Sequence, residues 1–342
     1  MKISHYADVA IVLAWPETTA RGEEGIIKFL KRVGIIRNTN LRVGHAALCL
    51  LSRDSEEVEY FDFGRYIAPR KHGRVRSKDT DPKLILPVVV RWTEDHRIAN
   101  VEEIALALDA IPASTHGDGP MLFSLCYGID YRASKKFANT LQEEGHQRYG
   151  GLSRSHTNCA RFVSDCIMAG LPSHSSILYK LRWPLSYKPA PAHNVSAACT
   201  EDKCLFVDQG VVSYYVPSRW RAAWSLAVGI LKSASPHFAN KVRSDANLGM
   251  TEEPARPTTV PSYAHWLGGL GEGAWHGIEA NTEGSLDMVR YAVNGTLEFE
   301  GKYQAPEGYL SGDDIELLFD SHHGWITVRY RRQLVRLRRI KL

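Results

Sequence analysis

The sequence predicts an α+β protein in two parts: a mixed domain over residues 1–232 and a small all-β domain over 262–342, joined by a linker at 233–261. Three observations predict this. Up to residue 231, apolar runs of strand length alternate with stretches of helical periodicity. Lys232 to Pro261 is rich in proline, serine and asparagine and poor in apolar residues, as an interdomain linker is. After Ser262 the pattern changes to short alternating runs separated by turn residues, the pattern of an antiparallel meander or barrel.

Asp8–Trp15 is apolar, partly β-branched and closed by Pro16, and so predicts a buried strand. A helix capped by Thr18 or Thr19 is expected next, with Ile26, Ile27, Phe29, Leu30 and Val33 on its apolar face and Gly34 at its end. The runs 41–51 and 58–64, joined by the polar turn Ser52 to Glu57, predict a hairpin. Pro87 makes 84–92 an edge or bulged strand. Asn100 is expected to cap a helix, 121–125 to form a short buried strand, and Ser134 to open a helix ending at Gly145. Strands over 204–207 and 211–216 and a helix over 220–231 complete the first domain. In the last domain, 273–280, 287–293, 296–303, 314–319 and 325–337 read as strands, with turns at Asn294–Gly295 and His323–Gly324. Its aromatic residues, among them Trp266, Trp275, Tyr291, Phe299, Tyr303 and Trp325, are expected to form its core.

Composition narrows the function classes. A formal charge of +4 is too mild to signal nucleic acid, and none is expected as a partner. Basic residues crowd the C-terminus from Arg329 to Lys341, a solvated strand face that also suits a peripheral anionic surface. Six cysteines in 342 residues do not make a disulfide-dense scaffold. Cys199 and Cys204 suit a loop closure or half of a metal site, but no second pair completes a zinc site, so no metal and no cofactor are expected. With no signal peptide and no membrane-length apolar run, a cytoplasmic protein is expected.

The stretch 153–170, SRSHTNCARFVSDCIMAG, carries the chemistry. Asn158 is a good N-cap, and Phe162, Val163, Cys166 and Ile167 follow Cys159 at helical spacing until Gly170 and Pro172 stop the helix. Cys159 then sits in the first turn, where unpaired N–H groups and the helix dipole favour thiolate. A thiol nucleophile needs a base, and the base needs a group that fixes its orientation. His45 lies in the first strand of the predicted hairpin. If Leu51 pairs with Val58, His45 faces Gly64 and shares its side of the sheet with Tyr60 and Asp62. Asp62 is therefore the candidate orienting residue, with Glu59 and Tyr60 as competitors should the register slip. His146 and His156 flank the cysteine segment as weaker candidates, and Cys49 and Cys166 read as core.

The NCxxFV string at Asn158–Val163 and the GHxx string at Gly44–Ala47, with histidine strand before cysteine helix, resemble the circularly permuted branch of the papain-like NlpC thiol hydrolases. The lecithin:retinol acyltransferase family is a distant relative of that branch. The resemblance covers the first domain and implies a permuted papain-like fold there. It also implies Cys159 as nucleophile, His45 as base and Asp62 as orienting residue, acting through a thioester on an amide or peptide bond. Peptide, cell-wall or lipid-amide substrates follow from the same resemblance. The acyltransferase relatives commonly carry a second histidine where this chain has an acid, and several carry a C-terminal hydrophobic anchor that this chain lacks. Lipid acyl transfer and a catalytically silent binding protein remain the alternatives.

Overall fold

The computed structural model describes residues 6–151, 155–186, 189–239, 241, 244–246, 248–280, 285–306 and 315–340. They fall into two compact units. The first comprises 1–63, 84–144 and 148–247, the second 64–83, 145–147 and 248–342.

The first unit is mixed α and β. Its strands and helices are β1 (Asp8–Trp15), α1 (Gly25–Arg32), β2 (His45–Leu51), β3 (Glu57–Gly64), β4 (Ile85–Val89), α2 (Val101–Asp109) and β5 (Met121–Ile129). They continue with α3 (Tyr131–Glu143), α4 (Cys159–Gly170), α5 (Ser176–Arg182), α6 (Pro191–Ala198), β6 (Cys204–Asp208), β7 (Val211–Tyr215) and α7 (Arg219–Ala234). The sheet runs β7-β6-β5-β1-β2-β3, with β4 also pairing β3, and these pairings are antiparallel.

β1 is central because it is apolar on both faces. Val9, Ile11 and Leu13 join Ala47, Cys49 and Phe123 in one cluster that takes in Ile104, Ala105 and Leu108 of α2. α4 packs against β2 with Phe162, Val163, Cys166 and Ile167 fully buried. Burying one such aliphatic or aromatic side chain is worth about 1.5–3 kcal/mol.

The β2–β3 hairpin has the expected register, with Ala47 facing Asp62 and Cys49 facing Tyr60. Other local features differ from expectation. Thr19–Arg21 pairs with Asn40–Arg42 as a short ribbon instead of capping α1, which begins after Glu24 without a side-chain cap. α3 is capped by Asp130, whose carboxylate accepts from the Ala133 N–H, so it starts before Ser134. α5 and α6 form in a stretch for which the sequence predicted no element. Ser175 caps α5, and Pro191 in the first turn of α6 supplies a preset φ and no surplus donor.

The second unit holds a four-stranded meander, β8 (His265–Gly268), β9 (Gly273–Ala280), β10 (Ser285–Tyr291) and β11 (Leu297–Gln304). A three-stranded sheet follows, β12 (Ile315–Leu317), β13 (Trp325–Tyr330) and β14 (Gln333–Arg338). Trp275 and Tyr303 are fully buried, with Phe299 and Trp325 nearly so, as the aromatic pattern predicts. Of the strand expected over 314–319, residue 314 lies outside the described residues. Arg329 pairs with Glu316 and Arg336 with Asp320, so part of the C-terminal basic run is neutralised within the sheet.

The division differs from the expected boundaries at 232 and 262, because residues 64–83 group with the C-terminal strands and the 233–261 stretch is shared between the units. Buried charge explains the grouping of 64–83. Arg74 donates two parallel hydrogen bonds to Asp81, at 2.8 and 2.9 Å. Asp81 also lies 3.4 Å from Arg290 of β10. Arg290 in turn pairs with Glu272 at 2.9 Å and Glu298 at 2.6 Å, and Lys83 also bonds Glu272. Burial opposes ionisation of Asp81 and Glu272, but the neighbouring guanidinium and ammonium groups outweigh it and hold both carboxyls well below their usual range.

Both carboxyls have depressed pKa values in the folded chain, so their contribution to stability is present above the unfolded carboxylate range and is lost as pH falls through and below it. Arg290→Ala leaves Asp81 and Glu272 buried with fewer partners and is expected to destabilise the protein by about 3–5 kcal/mol. Urea unfolding of the full chain at neutral pH measures this; a loss under about 1 kcal/mol contradicts the network's importance.

Candidate active site

Cys159 opens α4. Asn158 adopts an extended backbone, and its side-chain oxygen accepts the Arg161 N–H at 2.9 Å, the geometry of an N-cap. The Asn158 carbonyl accepts the Phe162 N–H, which leaves the Cys159 and Ala160 amides as the first-turn donors that Asn158 does not take.

The hairpin register brings the other two residues together. Ala47 faces Asp62, and the two-residue period of a strand sets His45 on the same side. His45 Nε2 lies 3.4 Å from Asp62 Oδ2, and the Tyr60 hydroxyl donates to the same oxygen at 3.1 Å. With Nε2 turned to Asp62, Nδ1 is the ring nitrogen left for the thiol, and the imidazole is hydrogen-bonded to Cys159 as well. Backbone N–H groups of Ala46 and Ala160 also bond the Cys159 sulfur. All three side chains are buried: Asp62 is 0%, Cys159 6% and His45 8% exposed.

Electrostatics follow from this geometry. Burial alone pushes the His45 pKa down. The hydrogen bonds that the ring donates to Asp62 and Cys159, with their negative charge, outweigh it and raise the value to about 9. Burial likewise opposes the Cys159 thiolate, but the hydrogen bond and charge of His45 and the two backbone N–H groups lower its pKa. Both shifts favour the thiolate–imidazolium form of the pair, whose two groups titrate together. Burial pushes the Cys49 and Cys166 thiols up instead, so these remain protonated core residues.

Glu59 turns away from this cluster, accepting from Tyr131 and Lys135 at 2.6 and 2.7 Å. Arg161 donates to the His156 carbonyl. His146 groups with the second unit, edge-on to Phe319. Cys199 and Cys204 are free thiols hydrogen-bonded to each other. Among the described residues no group of three or more His, Cys, Asp or Glu side chains is placed to hold a metal ion.

Three further residues shape the cluster, and sequence reasoning had singled out only one of them, Gly44 of the GHxx string. Trp15, paired with His45 across β1 and β2, stacks on its ring with centroids 5.7 Å apart and planes at 22°. Asn194 of α6 is fully buried and donates to the Ala160 carbonyl at 2.6 Å, tying the start of α4 to α6. Gly44, at φ +78°, enters β2 with no room for a side chain, because a Cβ would lie 3.1–3.2 Å from the Trp15 carbonyl, Pro16 and Pro191. Pro16 and Pro191 also line a cavity of about 240 Å3 with Glu17, Val43, Ser225 and Gly229.

The family described as type VI secretion system effector TseH-like matches residues 10–176, a span that contains His45, Asp62 and Cys159. A second family, described as the DUF6695 C-terminal domain, matches residues 264–340. Among solved structures, the crystal structure of the type VI secretion system effector TseH is similar at 15% identity and a TM-score of 0.38. The alignment covers 61% of this chain and 98% of that one. No curated protein matches the chain.

A thiol paired with imidazolium stays reactive at a pH where ordinary thiols, with pKa about 8.5, are protonated. Iodoacetamide alkylation of Cys159 is therefore expected to change little between pH 8 and pH 6, where a free thiol would slow by about a hundredfold. In His45→Ala the reaction should slow at pH 6 and regain the steep profile. A wild-type profile as steep as that of free cysteine contradicts the ion pair.

Proposed function

We propose that the chain is a cysteine hydrolase that cleaves an amide or peptide bond through a thioester, with Cys159 as nucleophile, His45 as base and acid, and Asp62 as orienting residue. The observation that carries this reading is the buried Cys159–His45–Asp62 arrangement, in which the imidazole touches both the thiol and the carboxylate. The match of residues 10–176 to TseH-like effectors supports its use as a type VI secretion system effector. The resemblance of the GHxx and NCxxFV strings to permuted papain-like thiol hydrolases supports that ancestry for the first unit.

In the reaction the Cys159 sulfur attacks the carbonyl carbon and the carbon–oxygen double bond opens to an oxyanion. The Cys159 amide, free of the Asn158 cap, and the Ala160 amide, released from the sulfur as its negative charge moves to oxygen, are the donors proposed to hold it, each worth about 3 kcal/mol. The His45 imidazolium then gives its proton to the leaving amine as the carbon–nitrogen bond breaks and the thioester forms. His45, now neutral, takes a proton from water. The hydroxide attacks the thioester and the carbon–sulfur bond breaks, releasing a carboxylic acid that loses its proton to solvent and restoring the thiolate and imidazolium. Asp62, held by Tyr60, keeps Nε2 fixed and stabilises the charged ring, as the third member of such triads does.

The carboxylate on Asp62, where lipid acyltransferase relatives commonly carry a second histidine, favours amide hydrolysis over lipid acyl transfer. The test incubates the full chain with peptide amides, cell-wall muropeptides and phospholipids, following product release and the mass of Cys159 after rapid acid quench. Amide or peptide cleavage with an acyl adduct on Cys159 is expected. His45→Ala should lose about 10²–10⁴-fold in rate, and Cys159→Ala should abolish the adduct. An acyl adduct from phospholipid alone supports the acyltransferase reading, and no adduct from any substrate, with Cys159 reacting as an ordinary thiol, supports a silent binding protein.

A further inference from the structure

Helices α5 and α7 present an outward apolar face that is open to solvent. Tyr179 is 66% exposed and Trp183, which ends α5, 61%. Along α7, Trp220 is 75%, Trp224 71% and Leu231 69% exposed. Positions 220, 224, 227 and 231 fall on one stripe of a 3.6-residue helix, with Ala227 exposed between the larger side chains. The two helices meet at this face, since Arg219 donates to the carbonyls of Lys180 at 3.2 Å and Trp183 at 2.6 Å.

Along these two helices and their flanking chain the charge has one sign; a carboxylate brought close from elsewhere is Glu17, which lines a cavity with Trp224. No aspartate or glutamate occurs between Asp165 and Glu201, nor between Asp208 and Asp245, where the chain's average density would place about eight. The same two stretches hold eight lysines and arginines, and of these Arg182 and Arg221 are exposed beside the tryptophans. A helix that simply faces water mixes both signs of charge on its outer side. A tryptophan stripe flanked only by cations is instead the composition of a helix lying in a bilayer interface, where indole rings sit at headgroup level and cations meet lipid phosphates.

We propose that this face seats on the surface of an anionic phospholipid bilayer. Trp183, Trp220, Trp224 and Leu231 enter the headgroup boundary, and Arg182 and Arg221 pair with lipid phosphates. The surface is distinct from the C-terminal basic run, and its role does not depend on the chemistry at Cys159.

The test floats the full chain with phosphatidylcholine vesicles, with and without phosphatidylglycerol, while recording tryptophan emission and the oligomeric state by light scattering. Binding to the phosphatidylglycerol vesicles with a blue shift, weakened by salt, is expected. Arg182→Glu with Arg221→Glu should weaken it about 25-fold, at about fivefold per basic residue. Trp220→Ser with Leu231→Ser should remove binding and blue shift alike, in a protein whose circular dichroism spectrum matches wild type. Absence of binding overturns the proposal, as does equal binding to phosphatidylcholine alone or binding that survives both double variants. A dimer in solution broken by Trp220→Ser also overturns it, by assigning the face to a second copy of the chain.

Discussion

The pairing of Ala47 with Asp62 across the β2–β3 hairpin fixes which side chains share a side of the sheet with His45. A slip of one residue would replace Asp62 by Phe61 or Phe63 and leave the imidazole against an aromatic ring. The hairpin is pinned at its turn. Ser52 accepts the Ser55 N–H with its carbonyl and the Asp54 N–H with its hydroxyl, and Asp8 takes the Arg53 N–H. Those polar contacts at the far end of the hairpin hold the register that the site uses at the near end.

Both units solve the same problem, which is how to keep charge in an interior of low dielectric. An unpaired buried ion would cost several kcal/mol, so each is given partners whose geometry satisfies it. In the first unit the His45 imidazole lies between the Cys159 thiol and the Asp62 carboxylate, and Asp62 accepts in addition from Tyr60. In the second, Arg290 is enclosed by Asp81, Glu272 and Glu298. The outcomes differ because a guanidinium is charged at any working pH and serves as a fixed strut, whereas the imidazole and thiol exchange one proton and so can do chemistry.

Sequence legibility followed the range of the interactions involved. The N-cap at Asn158 and the apolar spacing behind Cys159 are local, and so was the hairpin, whose turn length sets its own register. Asp62 could be proposed on that basis. Trp15 could not, because it meets His45 only through the pairing of β1 with β2, which no local pattern announces. Asn194 is on a short helix that is buried on most sides and opens with proline, so it carried no amphipathic signal. Residues 64–83 join the second unit through ion pairs to positions some two hundred residues later, a relation invisible to periodicity. Thr18 and Thr19 look like helix caps in isolation, but strand pairing with 40–42 satisfies that backbone first.

His45 and Cys159 stand more than a hundred residues apart along the chain, on β2 and α4. No short fragment contains both. An extended chain carries at residue 159 a thiol of ordinary acidity, because His45 and Ala46, which help depress it, are brought there by tertiary contact. The lowered pKa of the Cys159 thiol is thus a property of the completed fold, acquired only once β2 and α4 have met.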